Sequence, residues 1–226
     1  MNNKMIRFAV ILVITASLAT AGVALIYGIS KPEIEKKKKK TQNEAIAIAF
    51  NVEPDDFAKK YEVEGIDKKE PHECWKVREK GNREMILGYA ATGEAGGYGD
   101  KIRLIAAVDA GRKKLIGTMI YDIKETPGLG NKAIETEVDK TWLEEIFGIR
   151  FGAEKKYSGP LERVPFLWQF HNKAEDELKV VKGEGKGIRA ITGATITSNA
   201  VTTAVRNAWK KIGKEAQTGA SSPPPE

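Results

Sequence analysis

The chain is poor in the residues that staple or metallate a fold, with one cysteine and two histidines among 226 residues. A single thiol excludes an internal disulfide and any cysteine-rich zinc or iron–sulfur centre. Cys74, in Pro71-His72-Glu73-Cys74-Trp75, is expected to be a partly buried thiol with no chemistry of its own. His72 and His171 are too far apart in sequence for metal-ligand spacing, and no Ser/His/Asp or Cys/His arrangement can be assembled. Internal repeats are also lacking, so residues 41–215 make one ordinary domain.

That domain has no surplus charge either. Of 37 basic and 31 acidic side chains, the first 40 residues hold eight (Lys4, Arg7, Lys31 and the five lysines at 36–40) and two (Glu33, Glu35). This leaves 29 of each sign beyond residue 40. The formal charge of +6 thus belongs to the N-terminal segment. Nucleic-acid binding is excluded on this ground, because neutralising a phosphate backbone needs basic residues on the domain itself.

Residues 8–29 carry no charge, and 22 helical residues at about 1.5 Å each cross a hydrocarbon core of about 30 Å. They read as a transmembrane helix after a short N-terminus at residues 1–7. A cleaved signal peptide is the competing reading, with Ala19-Thr20-Ala21 as its cleavage site. The apolar run continues through Val23, Ala24, Leu25, Ile26 and Tyr27, which a finished signal would not need. Residues 30–40 form a lysine-rich juxtamembrane linker suited to anionic headgroups. By the positive-inside rule these lysines favour a cytoplasmic domain. At the other end, residues 216–226, with Ser221-Ser222-Pro223-Pro224-Pro225, form a tail expected to be disordered.

Within the domain, residues 41–58 read as helix interrupted near Pro54. Residues 84–92, 101–108 and 114–123 read as strands, the last two joined in a hairpin through Asp109-Ala110-Gly111. A helix is expected over residues 133–147 and a short strand over 178–182. Strands followed by helices predict an α+β fold with a mainly antiparallel sheet and packed helices.

Three segments carry chemistry. Thr192-Gly193-Ala194-Thr195-Ile196-Thr197-Ser198 precedes a helix whose apolar positions, Val201, Ala204, Val205, Ala208, Trp209 and Ile212, follow the i, i+3, i+4, i+7 spacing of one buried face. Thr197 or Ser198 is the expected N-cap and Gly213 the expected stop. Free N–H groups at the helix start would then welcome an anion beside Thr195. The second segment is Glu125-Thr126-Pro127-Gly128-Leu129-Gly130, in which Pro127-Gly128 supplies the central positions of a type II turn. The third is the glycine-rich Gly96-Gly97-Tyr98-Gly99-Asp100. Each, taken alone, could be an ordinary cap, turn or connection.

Together they resemble the FMN-binding domain family. Thr192 to Thr195 is similar to its [Ser/Thr]-Gly-Ala-Thr flavinylation motif, Glu-Thr-Pro-Gly-Leu-Gly matches a six-residue hallmark, and Gly97-Tyr98-Gly99 resembles its Gly-Tyr-Gly-Gly element. The resemblance covers most of residues 80–215, including 166–170 and 178–182. It implies FMN in phosphoester linkage to the Thr195 oxygen, attached by a flavin transferase, with Thr192, Gly193, Ala194, Thr197 and Ser198 around it. The same resemblance places Glu125, Thr126, Pro127, Gly128, Leu129 and Gly130 beside the isoalloxazine ring, with Gly97, Tyr98 and Gly99 also binding the cofactor. Two membrane complexes use such a domain: the Rnf ferredoxin/NAD electron-transport complex, in its G component, and the sodium-translocating NADH:quinone reductase, in its C component. Length and a single anchor favour the Rnf type.

The implied role is a one-electron relay among other membrane and peripheral subunits, one of them a second flavin-bearing membrane subunit, with ion transport carried by the complex. The family also implies a cytoplasmic N-terminus and an outward-facing flavin domain, which we take as the expectation against the lysine bias. A membrane-tethered binding module without redox function is the alternative from another class. This chain departs from the family pattern at Asp100 (usually Gly), Ile123 (often His) and Arg189 (often Asp). Arg189 would either pair with the FMN phosphate or alter reading by the transferase.

Overall fold

The computed structural model describes residues 3–67, 72–136, 157–183 and 185–218. The chain divides into two units, Met1–Gln42 and Asn43–Glu226. The first is helical throughout its described length, as part of α1 (Asn3–Ala49), and Pro32 lies inside that helix. Within it Val10–Ile34 is long and apolar enough to cross a membrane by length and composition. Residues 30–40, a linker by composition, are helical too.

The second unit is built on a five-stranded antiparallel meander in the order β1-β2-β3-β4-β5. After the last turns of α1, a short α2 (Pro54–Lys60) leads into β1 (Tyr61–Gly65), β2 (Cys74–Glu79), β3 (Asn82–Gly96), β4 (Lys101–Asp109) and β5 (Leu115–Asp122). Pro54 begins α2, where its missing N–H costs nothing, and the helix break falls just before it. The three expected strands are present within a few residues of their predicted bounds. β1 and β2 are additions to the prediction. At the β4–β5 hairpin Asp109 Oδ1 accepts the N–H groups of Lys113 and Lys114, and Arg112, at φ 56°, makes the left-handed step.

Side chains alternate between the two faces of the sheet, as a period of two requires. Ile102, Leu104, Ala106 and Val108 enter one buried cluster, whereas Ile105 and Ala107 enter the other with Ala45, Ile46, Phe50, Phe57, Trp75 and Val77. The first cluster is covered by a one-turn helix α3 (Pro165–Trp168) and by α4 (Thr195–Thr218). All six residues of the predicted helical face, Val201 to Ile212, are buried in it. Burying each large apolar side chain contributes about 1.5–3 kcal/mol. α4 lies so close to β3 that a Cβ on Gly93 would come 2.0 Å from the Ala204 carbonyl oxygen. A parallel pair, β6 (Val180–Val181) and β7 (Ile188–Arg189), precedes α4.

Four expectations need correction or restriction. Helix α4 begins at Thr195, so neither Thr197 nor Ser198 is its N-cap. Gly213 does not stop it; a glycine in a helix interior costs only about 1 kcal/mol against alanine, which the buried face offsets. The expected tail at 216–226 starts as helix through Thr218, and 219–226 lie outside the described residues. Of the helix expected over 133–147, Ala133 closes a 3-10 turn (Gly130–Ala133), residues 134–136 are non-helical and the remainder lies outside the described residues.

Candidate functional site

The three chemistry-bearing segments meet at one carboxylate. Glu125 follows β5, Tyr98 and Gly99 connect β3 to β4, and Thr197 sits in the first turn of α4. Glu125 Oε1 accepts the N–H groups of Tyr98 (2.8 Å) and Gly99 (3.3 Å), while Thr197 Oγ1 donates to Glu125 Oε2 (3.0 Å). Thr197 is 1% exposed, so its hydroxyl would be costly to leave without this acceptor. The carboxylate fits because its neighbours lack side chains. A Cβ on Gly97 would stand 2.2 Å from Oε1, and one on Gly130 2.7 Å from Oε2.

Residues 126–129 form the expected turn: Leu129 N–H donates to the Thr126 carbonyl at 3.2 Å, and Gly128 has φ 74°. That value suits the third position of a type II turn. The flavinylation-like segment is shaped by Gly193, at φ 79°, and by Ser198. Ser198 Oγ accepts the Ile191 N–H (2.9 Å) and donates to the Ala194 carbonyl (2.9 Å), tying the loop to the helix it feeds. Thr195 opens α4 and is half-buried. Among the described residues, no acceptor takes the N–H groups of Thr195, Ile196 or Thr197.

Three apolar or aromatic side chains of these segments are exposed. Tyr98, Leu129 and Ile196 are 72%, 45% and 55% exposed. Donor N–H groups at a helix start beside exposed apolar side chains and a bare glycine turn suit a ligand with a phosphate at one end and a flat apolar ring at the other. FMN has this shape, so the residues present fit it.

An open cleft of about 380 Å³ adjoins the segment, lined by Lys132, Phe166, Gln169, Arg189 and Ile191 among others. Gln169 holds the backbone of Arg189 from both sides: its Oε1 accepts the Arg189 N–H (2.8 Å) and its Nε2 donates to the Arg189 carbonyl (3.4 Å). Neither Gln169 nor Lys132 was signalled by the sequence, since glutamine and lysine in connecting segments carry no pattern. Asp100 is turned towards Lys101 N–H (2.7 Å) and the Lys124 ammonium (3.4 Å), which hold its carboxyl below the usual range.

Cys74 lies away from these loops, fully buried in β2, and burial foremost pushes its thiol up to about 12. Lys211 of α4 crosses nearby to Glu73 (2.9 Å) and Thr92 (3.0 Å). Among the described residues no group of three or more His, Cys, Asp or Glu side chains could hold a metal.

An α+β domain of this kind, following a helix whose length and composition fit a membrane anchor, is the class of architecture the fold defines. Residues 97–210 match the FMN-binding domain and residues 1–47 match the RnfG N-terminal region, and the chain belongs to the FMN-binding domain family. The G component of the proton-translocating ferredoxin:NAD(+) oxidoreductase complex of Clostridium ljungdahlii is 32% identical over 203 residues, spanning 89% of this chain and 88% of that one. The G component of the Na(+)-translocating ferredoxin:NAD(+) oxidoreductase complex of Acetobacterium woodii is 28% identical over 210 residues, 88% of this chain and 87% of its own. The crystal structure of Shewanella oneidensis NqrC shares the fold at 15% identity, with a TM-score of 0.53 over 82% of this chain and 100% of that one.

Proposed function

We propose that this chain is the membrane-anchored G-type component of an ion-translocating ferredoxin:NAD(+) oxidoreductase complex, relaying electrons through FMN carried covalently on Thr195. The observation that carries the reading is the convergence of three separate loops on the start of α4, beside an exposed apolar surface, in a chain that matches G components over nearly its whole length. Thr195, at the head of the helix, is the acceptor. Thr192, Gly193 and Ala194 leave it accessible, and the N–H groups of the first turn hold the phosphate. Gly128 and Leu129 of the turn, with Tyr98 from the opposite loop, offer backbone and apolar surface to the ring.

Bound FMN supplies one-electron chemistry; the protein fixes its place and its surroundings. Partners are the other subunits of the complex, including a second flavin-bearing membrane subunit, and a flavin transferase acts in maturation. The N-terminus is cytoplasmic, residues 8–29 cross the membrane, and the domain lies outside, where a covalent tether prevents loss of a cofactor that could not be replaced there. A place in the sodium-translocating NADH:quinone reductase rests on shared fold alone, and a binding module without redox function has no observation in its favour.

The test is coexpression of the full chain with a flavin transferase to completion, followed by denaturing electrophoresis and in-gel flavin fluorescence. Wild type, Thr192→Ala and Thr197→Ala carry the label, and Thr195→Ala does not. Fluorescence of Thr195→Ala on the denaturing gel overturns the assignment.

A further inference from the structure

Glu125 stands within the segment that family resemblance puts beside the flavin ring, yet both of its oxygens are occupied by protein donors. Oε1 takes two backbone N–H groups from the β3–β4 connection, and Oε2 takes the hydroxyl of a buried threonine in the first turn of α4. Hydrogen bonds to an ionised acceptor are about twice as strong as neutral ones, and three on one side chain fix its position. Further, Gly97 and Gly130 are the residues whose added Cβ atoms would collide with these oxygens. Glycine at these two places makes room for the carboxylate, whatever else approaches from outside.

We infer that Glu125 is a positioning residue, a latch that sets the start of α4, and with it the Thr195 hydroxyl, for attack on an activated FMN donor. The inference rests on Thr195 as acceptor. In the transfer, Thr195 Oγ forms a bond to the FMN phosphorus of flavin adenine dinucleotide. The pyrophosphate P–O bond breaks, AMP leaves with its electron pair, and the hydroxyl proton passes to a base of the transferase. No oxidation or reduction takes place. Glu125 touches none of these atoms; it acts through Thr197, two residues along the helix from Thr195.

A reacting hydroxyl must be held close to its target geometry, and a small misplacement costs orders of magnitude in rate. Without the latch, the first turn of α4 is held on its loop side by the Ser198 tie to Ala194 and Ile191 and by the backbone bond from Ser198 N–H to the Ala194 carbonyl. The unsatisfied Thr197 hydroxyl then competes for whatever acceptor it can reach, by fraying the turn that carries Thr195. Glutamine in place of Glu125 retains a carbonyl oxygen for the two N–H groups and offers an N–H to the Thr197 oxygen, so the link survives with its sense reversed, while the charge and the acceptor of the Thr197 proton are lost.

The experiment measures initial rates of FMN transfer to the purified full chain in detergent, with limiting flavin transferase and saturating flavin adenine dinucleotide. The variants are Glu125→Ala, Glu125→Gln, Thr197→Val, Gly130→Ala and the double variant Glu125→Ala with Thr197→Val. Expected are a fall of about tenfold or more for Glu125→Ala and Gly130→Ala, and smaller falls for Thr197→Val and Glu125→Gln. The double variant matches Glu125→Ala, because the two residues act as one device. Wild-type rates in Glu125→Ala or Thr197→Val overturn the inference, as do a double variant equal to the product of the singles and a Glu125→Gln as slow as Glu125→Ala. Should Glu125→Ala unfold, as near-ultraviolet circular dichroism would reveal, Thr197→Val and Glu125→Gln still decide. Wild type labelled at a residue other than Thr195 brings down the acceptor assignment and the latch together; labelling at Thr195 with no dependence on Glu125 brings down the latch alone.

Discussion

Leu129 rests against the bare face of Gly193: a Cβ built on that glycine would lie 3.1 Å from Leu129 Cδ2, and its φ of 79° already belongs to the left-handed region. The turn after β5 and the loop before α4 are thereby seated on each other. Gly193→Ala should cost about 1–2 kcal/mol from backbone conformation alone, and Leu129 must also shift by a few tenths of an ångström. Chemical denaturation of the full chain in detergent checks the stability change. Flavin transfer should slow along with it, and a Gly193→Ala protein as stable as wild type would contradict the seating of the two loops.

Gly128 is the opposite case. Its φ is 74°, yet nothing lies within 4 Å of where a Cβ would stand. A side chain added there strains the backbone and projects into open space over the proposed flavin face. Gly128→Val should therefore load fully while shifting the flavin absorption spectrum and midpoint potential. Thr126→Val, which removes a hydroxyl worth about 0.5–1.5 kcal/mol in a neutral hydrogen bond, should shift the potential by a smaller amount. Unshifted spectra and potentials in both variants would place the turn away from the ring.

Cys74 should be chemically silent. Its thiol, pushed up to about 12 from an ordinary 9.0, keeps its proton at pH 8 to 9, where an unfolded chain begins to lose its own. Alkylation by iodoacetamide at pH 8.5 should thus be slow in native protein and fast in denaturant. The sign for stability follows from the same shift. The unfolded state loses the proton first, so stability is full below about pH 9 and falls as pH rises towards 12. Cys74→Ser should remove most of that alkaline slope, measured by denaturation at pH 7 and pH 10.

The outward orientation of the domain is checked with reporters fused to the C-terminus. Alkaline phosphatase, active outside the cytoplasm, should give signal, and a cytoplasm-active fluorescent protein should not. The reverse pattern would favour the lysine bias at 36–40 and overturn the proposed electron path.

Helix α4 was legible because its apolar face repeats every three to four residues and no competing period overlaps it. β3, β4 and β5 were legible for a similar reason, as runs rich in apolar and β-branched residues. β1 and β2 were not. Glu62 and Glu64 in β1 and Lys76 and Arg78 in β2 do alternate with apolar residues, but over runs of only five and six residues, and both strands are fixed by pairing partners, Val63 with Val77 and Trp75 with Ala90. The helix start was misplaced by a turn because Thr197 and Ser198 are good capping residues whose hydroxyls are used otherwise, towards Glu125 and Ala194. Glu125 itself could be picked out as part of a motif. Its partners could not, since they lie 27, 26 and 72 residues away and two of them are backbone N–H groups, which every residue has.

In the meander each strand pairs with its neighbour in sequence, so the sheet can assemble hairpin by hairpin as the chain emerges. One face of it, however, waits for α4, the last described element, whose backbone seats directly on Gly93. Thr195 is the first residue of that same helix. A chain cut short before it would leave much of the apolar face that α4 buries uncovered. Under the proposed attachment at Thr195, only copies made through this helix would carry the label, so flavin content would report on completed synthesis.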